Sequence, residues 1–358
     1  MSISSVSEDS ATVSAIQDLA SRMLKQGIVR AQKIGNGANS RVFRLEDENA
    51  RQYVAKFYFR HPTDPRDRLN VEYSSLSLLR AEGITNIPRP VVMDREKSCA
   101  IYEFIDGKSI RGEDATVADI DCAVEFLSKL KKLKESPKSR DIQLASEACL
   151  SPQAIVESIL QRLNRLYKLQ ETGEEYAELR SFLMNAIKPF LNILREWSHR
   201  RGNQLHVPFD KDIPLEQRTL SPSDFGFHNA IREKSGRIVF LDLEYFGWDD
   251  PAKMISDFLL HPAMALPVPM KRAFFDKAIA AFAENEQLAK RMEVVYPLYG
   301  IKWCLIFLNE FIPDEFSRRI YANGDETNGT EIVKAQLLKA RNLYRTIKET
   351  YQAFPYKK

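Results

Sequence analysis

The chain has little of what marks the more specialised protein classes. Its 358 residues include four cysteines, Cys99, Cys122, Cys149 and Cys304, widely spaced and with no CxxC pair. That spacing argues against a zinc site or a disulfide framework. The five histidines, His61, His199, His206, His228 and His261, show no metal-ligand spacing either. The net charge is only +3, and nucleic-acid binders usually concentrate far more positive charge, so no nucleic-acid partner is expected. The opening residues MSISSVSEDSATVSAIQDLA lack a basic segment followed by an apolar run, and so do not read as a signal peptide. The most apolar stretch, 296–312, is interrupted by Lys302, Asn309 and Glu310 and is too short to span a bilayer. A buried helix is expected there. The expected compartment is cytoplasmic, with no membrane partner.

What is present fits an ordinary globular protein. Apolar residues make up 44% and charged residues 28%. The length suffices for a substantial core and for two lobes. Residues 1–28 read as a polar arm with one helix over 13–26. From 30 to 103 the pattern is β-rich, with one helix opened near Pro65 and Asp67 and closed at Gly83. On it Leu69, Tyr73, Leu76 and Leu79 share a face. The order β-β-β-α-β-β describes a small sheet with one packed helix. Beyond Gly107 the spacing turns helical, over 117–130, from Ser151-Pro152, and over 174–197 with a kink expected at Pro189. We place domain boundaries at 1–28, 29–106 and 107–358.

Four features carry chemistry. The loop Gly35-Asn36-Gly37-Ala38-Asn39-Ser40 can bring backbone N–H groups and a serine hydroxyl to a phosphate. Taken alone, it reads better as a hairpin turn. Lys56 lies inside an apolar strand, where a buried ammonium needs a partner, unless it reaches water from an edge. Glu72, on the packed side of the next helix, is the candidate partner. The strand end at Glu103 and Ile105 offers backbone to an adenine, although no side chain there decides the matter.

The most informative segment is LSPSDFGFHNAIREKSGRIVFLDLEYFGWDD, 220–250. Asp224 and Asn229 stand five residues apart, a hairpin follows, and its second strand ends at Asp242. Phosphoryl transfer needs this set: a carboxylate for the attacking hydroxyl, then an amide oxygen and a second carboxylate for Mg²⁺, a hard ion. An Asx turn explains a lone Asp224, and a strand-end cap explains a lone Asp242. The joint order of glycine loop, strand lysine, helix glutamate, D-x-x-x-x-N and strand-end Asp outweighs those readings.

With those residues in place, the chain resembles the aminoglycoside phosphotransferase/choline kinase family over about 30–260. The resemblance implies an α+β, protein-kinase-like two-lobed fold, with a small β-rich N-lobe for nucleotide and a larger helical C-lobe. It implies ATP and Mg²⁺, and transfer of the γ-phosphoryl group to a hydroxyl of an aminoglycoside-, choline- or sugar-like acceptor. Asp224 would be catalytic, and Asn229 and Asp242 would be metal ligands. Gly35, Gly37, Asn39, Ser40, Lys56, Glu72, Glu103 and Ile105 would bind the nucleotide. Gly247, Asp250-Pro251 and Asp257 resemble the end of the family's metal segment. One departure is plain: Pro222 stands where the family has a catalytic-loop histidine, and His228 does not restore that position. The competing reading is a catalytically weak or inactive nucleotide-binding regulatory protein. A protein kinase is disfavoured, because no A-P-E segment follows Asp242.

Overall fold

The computed structural model describes residues 10–34, 40–60, 64–317 and 329–357. They fall into two compact units. One is drawn from 1–108, 230–245 and 316–327, the other from 109–229, 246–315 and 328–358.

In the first unit helix α1 (Ser10–Leu24) leads to a five-stranded antiparallel sheet. Its strands are β1 (Ile28–Lys33), β2 (Ser40–Asp47), β3 (Gln52–Tyr58), β4 (Pro90–Asp94) and β5 (Cys99–Glu103), in the order β1-β2-β3-β5-β4. Ile16, Ala20, Phe43, Leu45, Ala55 and Ile101 form an apolar core that includes α1 and the strands. Helix α2 (Arg68–Ala81) lies between β3 and β4 in the chain. It starts later than Pro65 because Asp67 is its N-cap, accepting a hydrogen bond from the Asn70 N–H at 3.1 Å. Gly83 closes it at φ +80, a backbone state that favours glycine. Strands β8 (Ala230–Glu233) and β9 (Ile238–Phe240) form the expected hairpin, with Ala230 opposite Phe240. Strand β6 (Gly107–Ser109) lies beside β8.

The second unit is mainly helical: α3 (Val117–Lys132), α4 (Pro152–Tyr167), α5 (Glu174–Phe182), α6 (Lys188–Leu205), α7 (Pro251–Leu260), α8 (Val268–Ala281), α9 (Leu288–Phe307) and α10 (Gly329–Thr350). Ser151 caps α4, and Thr116 with Asp119 makes a capping box on α3. Pro189 does not simply kink one helix. A single π turn, Leu183–Ile187, separates α5 from α6 just before it. A proline cannot donate its N–H and crowds the preceding turn, and a π bulge absorbs both effects. The apolar stretch near 296–312 is indeed buried, mostly within α9. Among the described residues no helix is long and apolar enough to cross a membrane. Two short strands, β7 (Thr219–Ser221) and β10 (Gly247–Asp249), pair antiparallel and frame the loop that carries Asp224.

Candidate active site

Lys56 is the centre of the first unit's polar cluster. Its register in β3, opposite Val42 and Ala100, places it mid-sheet and buried. Its Nζ donates to Glu72 Oε2 at 2.6 Å and to Asp242 Oδ1 at 2.6 Å, and lies 3.5 Å from Glu244 Oε2. Burial works against the ammonium, but Asp242, Glu72 and Glu244 outweigh it and hold its pKa well above the usual lysine range. Asp242 stands at φ +62, in the left-handed region, and its carboxylate is half-exposed. Glu244 is fully enclosed, and Arg68 Nε lies 3.6 Å from its Oε1. Burial, then the charge on Asp242, pushes Glu244 up to about 7.

The other residues expected to bind nucleotide fare differently. Ser40 opens β2 opposite Tyr58 and is buried. Gly35, Gly37 and Asn39 lie outside the described residues. The Glu103 carboxylate is occupied by Arg80 Nη2 at 2.7 Å and the Arg89 N–H at 3.1 Å. Its own N–H donates to Arg89 O at 2.9 Å and so is not available to a base. Ile105 is buried just past the end of β5.

In the second unit Asp224 follows a tight turn. Its N–H donates to Pro222 O at 2.9 Å across Ser223, whose φ is +68, a rare and strained γ-turn. Two bonds keep Ser223 in place: its N–H to Ser221 Oγ at 2.9 Å, and Lys253 Nζ to its Oγ at 3.0 Å. Lys253 is itself buried and pairs with Asp249 at 3.2 Å and Asp257 at 2.9 Å. Asn229 Nδ2 donates to Asp224 O at 3.0 Å and Oδ2 at 3.3 Å.

Two histidines that sequence reasoning missed complete this cluster. His228 Nε2 is 3.0 Å from Asp224 Oδ1, and His261 Nε2 is 3.9 Å from the same oxygen. Their rings stack at 3.7 Å, and His261 meets the Trp303 ring edge-on at 4.8 Å. Trp303 Nε1 in turn donates to Asp257 Oδ1 at 2.8 Å. Burial works against the charge on Asp224, but His228 and then the Asn229 amide hold its carboxyl well below the usual range. Such a group is a firm orienting acceptor and only a weak base. The signal for His228 was available as an i, i+4 spacing from Asp224, whereas His261 comes from the far end of α7.

The remaining motif residues have structural partners. Asp250 caps α7 and holds Arg291 at 2.9 and 2.8 Å. A Cβ at Gly247 would come within 2.4 Å of the Ala145 backbone nitrogen, so only glycine fits there.

Comparison with known proteins decides the family. A model of the phosphotransferase enzyme family matches residues 30–284. The chain belongs to that family. No curated protein matches it by sequence. Among solved structures, this phosphotransferase is similar to the choline kinase LicA from Streptococcus pneumoniae, with 15% identity and TM-score 0.60 over 94% of this chain and 100% of that one. It is similar to spectinomycin phosphotransferase APH(9)-Ia in complex with ADP and spectinomycin, with 14% identity and TM-score 0.59 over 90% and 98%. It is also similar to amicoumacin kinase hAmiN in complex with AMP-PNP, Ca²⁺ and Ami, with 13% identity and TM-score 0.55 over 95% and 95%. At such identities the likeness shows the kinase-like α+β fold.

Proposed function

We propose that this phosphotransferase moves the γ-phosphoryl group of ATP to a hydroxyl of a small molecule. The observation that carries the reading is Lys56, bonded at once to Glu72, its expected partner, and to Asp242, expected separately as a metal ligand. Lys56, aimed by Glu72, is the cation for the α- and β-phosphates. The backbone beyond β5 at Ile105 takes the base, since the Glu103 N–H and carboxylate are already bonded to Arg89 and Arg80, and the loop from Gly35 to Ser40 covers the terminal phosphates. Asp224 orients the acceptor hydroxyl and receives its proton as the oxygen–phosphorus bond forms. Nucleotides in the similar structures support this reading, as do their spectinomycin, choline and amicoumacin activities.

A divalent metal fits the residues present. Oxygens of Glu72, Asp242 and Glu244 lie within 4.8 Å of one another, a hard-cation donor set. Lys56 and Arg68 lie among these three carboxylates. The half-exposed Asp242 is the carboxylate that would hold Mg²⁺; Asn229 is an amide ligand by family resemblance alone. Bound there, Mg²⁺ supplies charge neutralisation at the transferred phosphoryl group.

The acceptor is an aminoglycoside-, choline- or sugar-like alcohol. A panel of such hydroxyl compounds with Mg-ATP, read by ADP release, tests the reading. The alternative, a nucleotide-binding regulatory protein suggested by Pro222, predicts Mg-ATP binding with no acceptor-stimulated ADP.

A further inference from the structure

Lys56 Nζ is shared evenly, 2.6 Å from Glu72 and 2.6 Å from Asp242. If Asp242 is to serve a metal, Glu72 must hold the ammonium without it. Glu72 is buried, and a buried carboxylate keeps its charge only when enough donors satisfy it. The oxygen that takes Lys56 also takes a second donor, the Tyr58 hydroxyl at 2.7 Å. The Tyr58 oxygen in turn lies 2.6 Å from the Tyr102 hydroxyl, and both tyrosines are buried.

Strand register explains the meeting. Lys56 pairs with Ala100, and Tyr102 with Val54, so Lys56, Tyr58 and Tyr102 share one face of the sheet. Ala100 is small, which leaves room for the two phenols to reach each other. The Tyr58 hydroxyl donates to Glu72, which commits its one proton and leaves Tyr102 as the donor between the two phenols. Burial, then the charge on Glu72, keeps both phenols well above their usual pKa range, so both remain donors.

We propose that Tyr58 and Tyr102 are positioning residues of the nucleotide site: a buried hydroxyl relay that fixes Glu72 as the anchor of Lys56 and ties it to the strand that ends at Glu103. The proposal rests on the nucleotide reading above. The relay acts on the phosphate end of the site, through Lys56. It therefore governs affinity for a triphosphate and not for the nucleoside alone.

Calorimetry on the full chain tests this with Mg-AMP-PNP and with adenosine, alongside thermal unfolding of each variant. Tyr58→Phe should weaken Mg-AMP-PNP about tenfold, the scale of one hydrogen bond to a charged group, and leave adenosine unchanged. Tyr102→Phe should do the same to a smaller extent. Tyr58→Phe combined with Glu72→Gln should be no weaker than Glu72→Gln alone. Should Tyr58→Phe fail to fold, Tyr102→Phe carries the same comparison. Unchanged Mg-AMP-PNP affinity, an equal loss for adenosine, or additive losses with Glu72→Gln would overturn the relay while leaving the nucleotide reading intact. No binding of Mg-AMP-PNP by the unaltered protein would overturn both.

Discussion

Lys56 and Asp242 lie 186 positions apart in the chain and meet at 2.6 Å. The contact joins β3 to the residues just beyond the β8–β9 hairpin, with Asp242 in a left-handed backbone state. Asp242→Ala should abolish the Mg²⁺ dependence of nucleotide binding together with activity. Asn229→Ala should have a smaller effect of the same kind, since a neutral amide contributes less charge. Titrating Mg²⁺ against nucleotide affinity checks this, and an unchanged dependence in Asp242→Ala would remove Asp242 as the metal carboxylate.

Lys56 also has a stability role. Removing it leaves Glu72 and Glu244 buried with less compensation, and breaking such a buried pair costs about 3–5 kcal/mol. Lys56→Ala should therefore lower the denaturation midpoint as well as weaken ATP use severely. Glu72→Ala should weaken ATP use less, and the double variant should match Lys56→Ala alone. Lys56→Arg should not rescue, because a planar fork cannot replace a point charge between two carboxylates. Strictly additive losses would contradict the pairing.

The core of this arrangement was legible because kinase-like chemistry orders its parts along the chain. A lysine within an apolar strand and a glutamate on a packed helix face announced an ion pair, and the structure shows it. The D-x-x-x-x-N spacing, read with the other elements in order, grouped Asp224 with Asn229, and the two side chains do meet. What stayed hidden depends on register and tertiary approach. Tyr58 and Tyr102 meet only because β3 pairs with β5. Glu244 lies two residues past Asp242, and its burial against Lys56 could not be read from neighbours in the sequence. His228 was set aside because it does not occupy the position held by Pro222, yet it bonds Asp224 directly. Glu103 shows the converse, a residue whose side chain and N–H are already committed to Arg80 and Arg89.

Acid should expose the role of His261. Burial, then the neighbouring His228, lowers its pKa to about 4 from the ordinary 6.5. As pH falls below 6.5 the unfolded chain takes up this proton first. The stability contribution is fully present above 6.5 and is lost as pH falls toward 4, about 3 kcal/mol at most. In urea melts across that window, the stability gap between the unaltered protein and His261→Gln should shrink as pH falls. A gap that is constant with pH would contradict a buried, neutral His261.

Lys253 should prove essential to the fold around the Asp224 turn. It is buried between Asp249 and Asp257 and donates to Ser223. Lys253→Met leaves two buried carboxylates facing each other and should destabilise the protein by about 3–5 kcal/mol, read from its denaturation midpoint. A change under about 1 kcal/mol would show that these charges are not coupled as described.

Asp224 should act on an acceptor hydroxyl while the nucleotide is held by other residues. The direct measurement is acceptor-stimulated ADP release from Mg-ATP, made in parallel with nucleotide affinity, for the unaltered protein and for Asp224→Asn. At least one small hydroxyl compound should stimulate that release. Asp224→Asn should lose about 10²–10⁴-fold of that rate, the usual contribution of a positioned proton acceptor, with affinity for Mg-ATP little changed. Near-normal turnover in a folded Asp224→Asn variant, or tight Mg-ATP binding that no hydroxyl compound converts to ADP release, would contradict this role of Asp224.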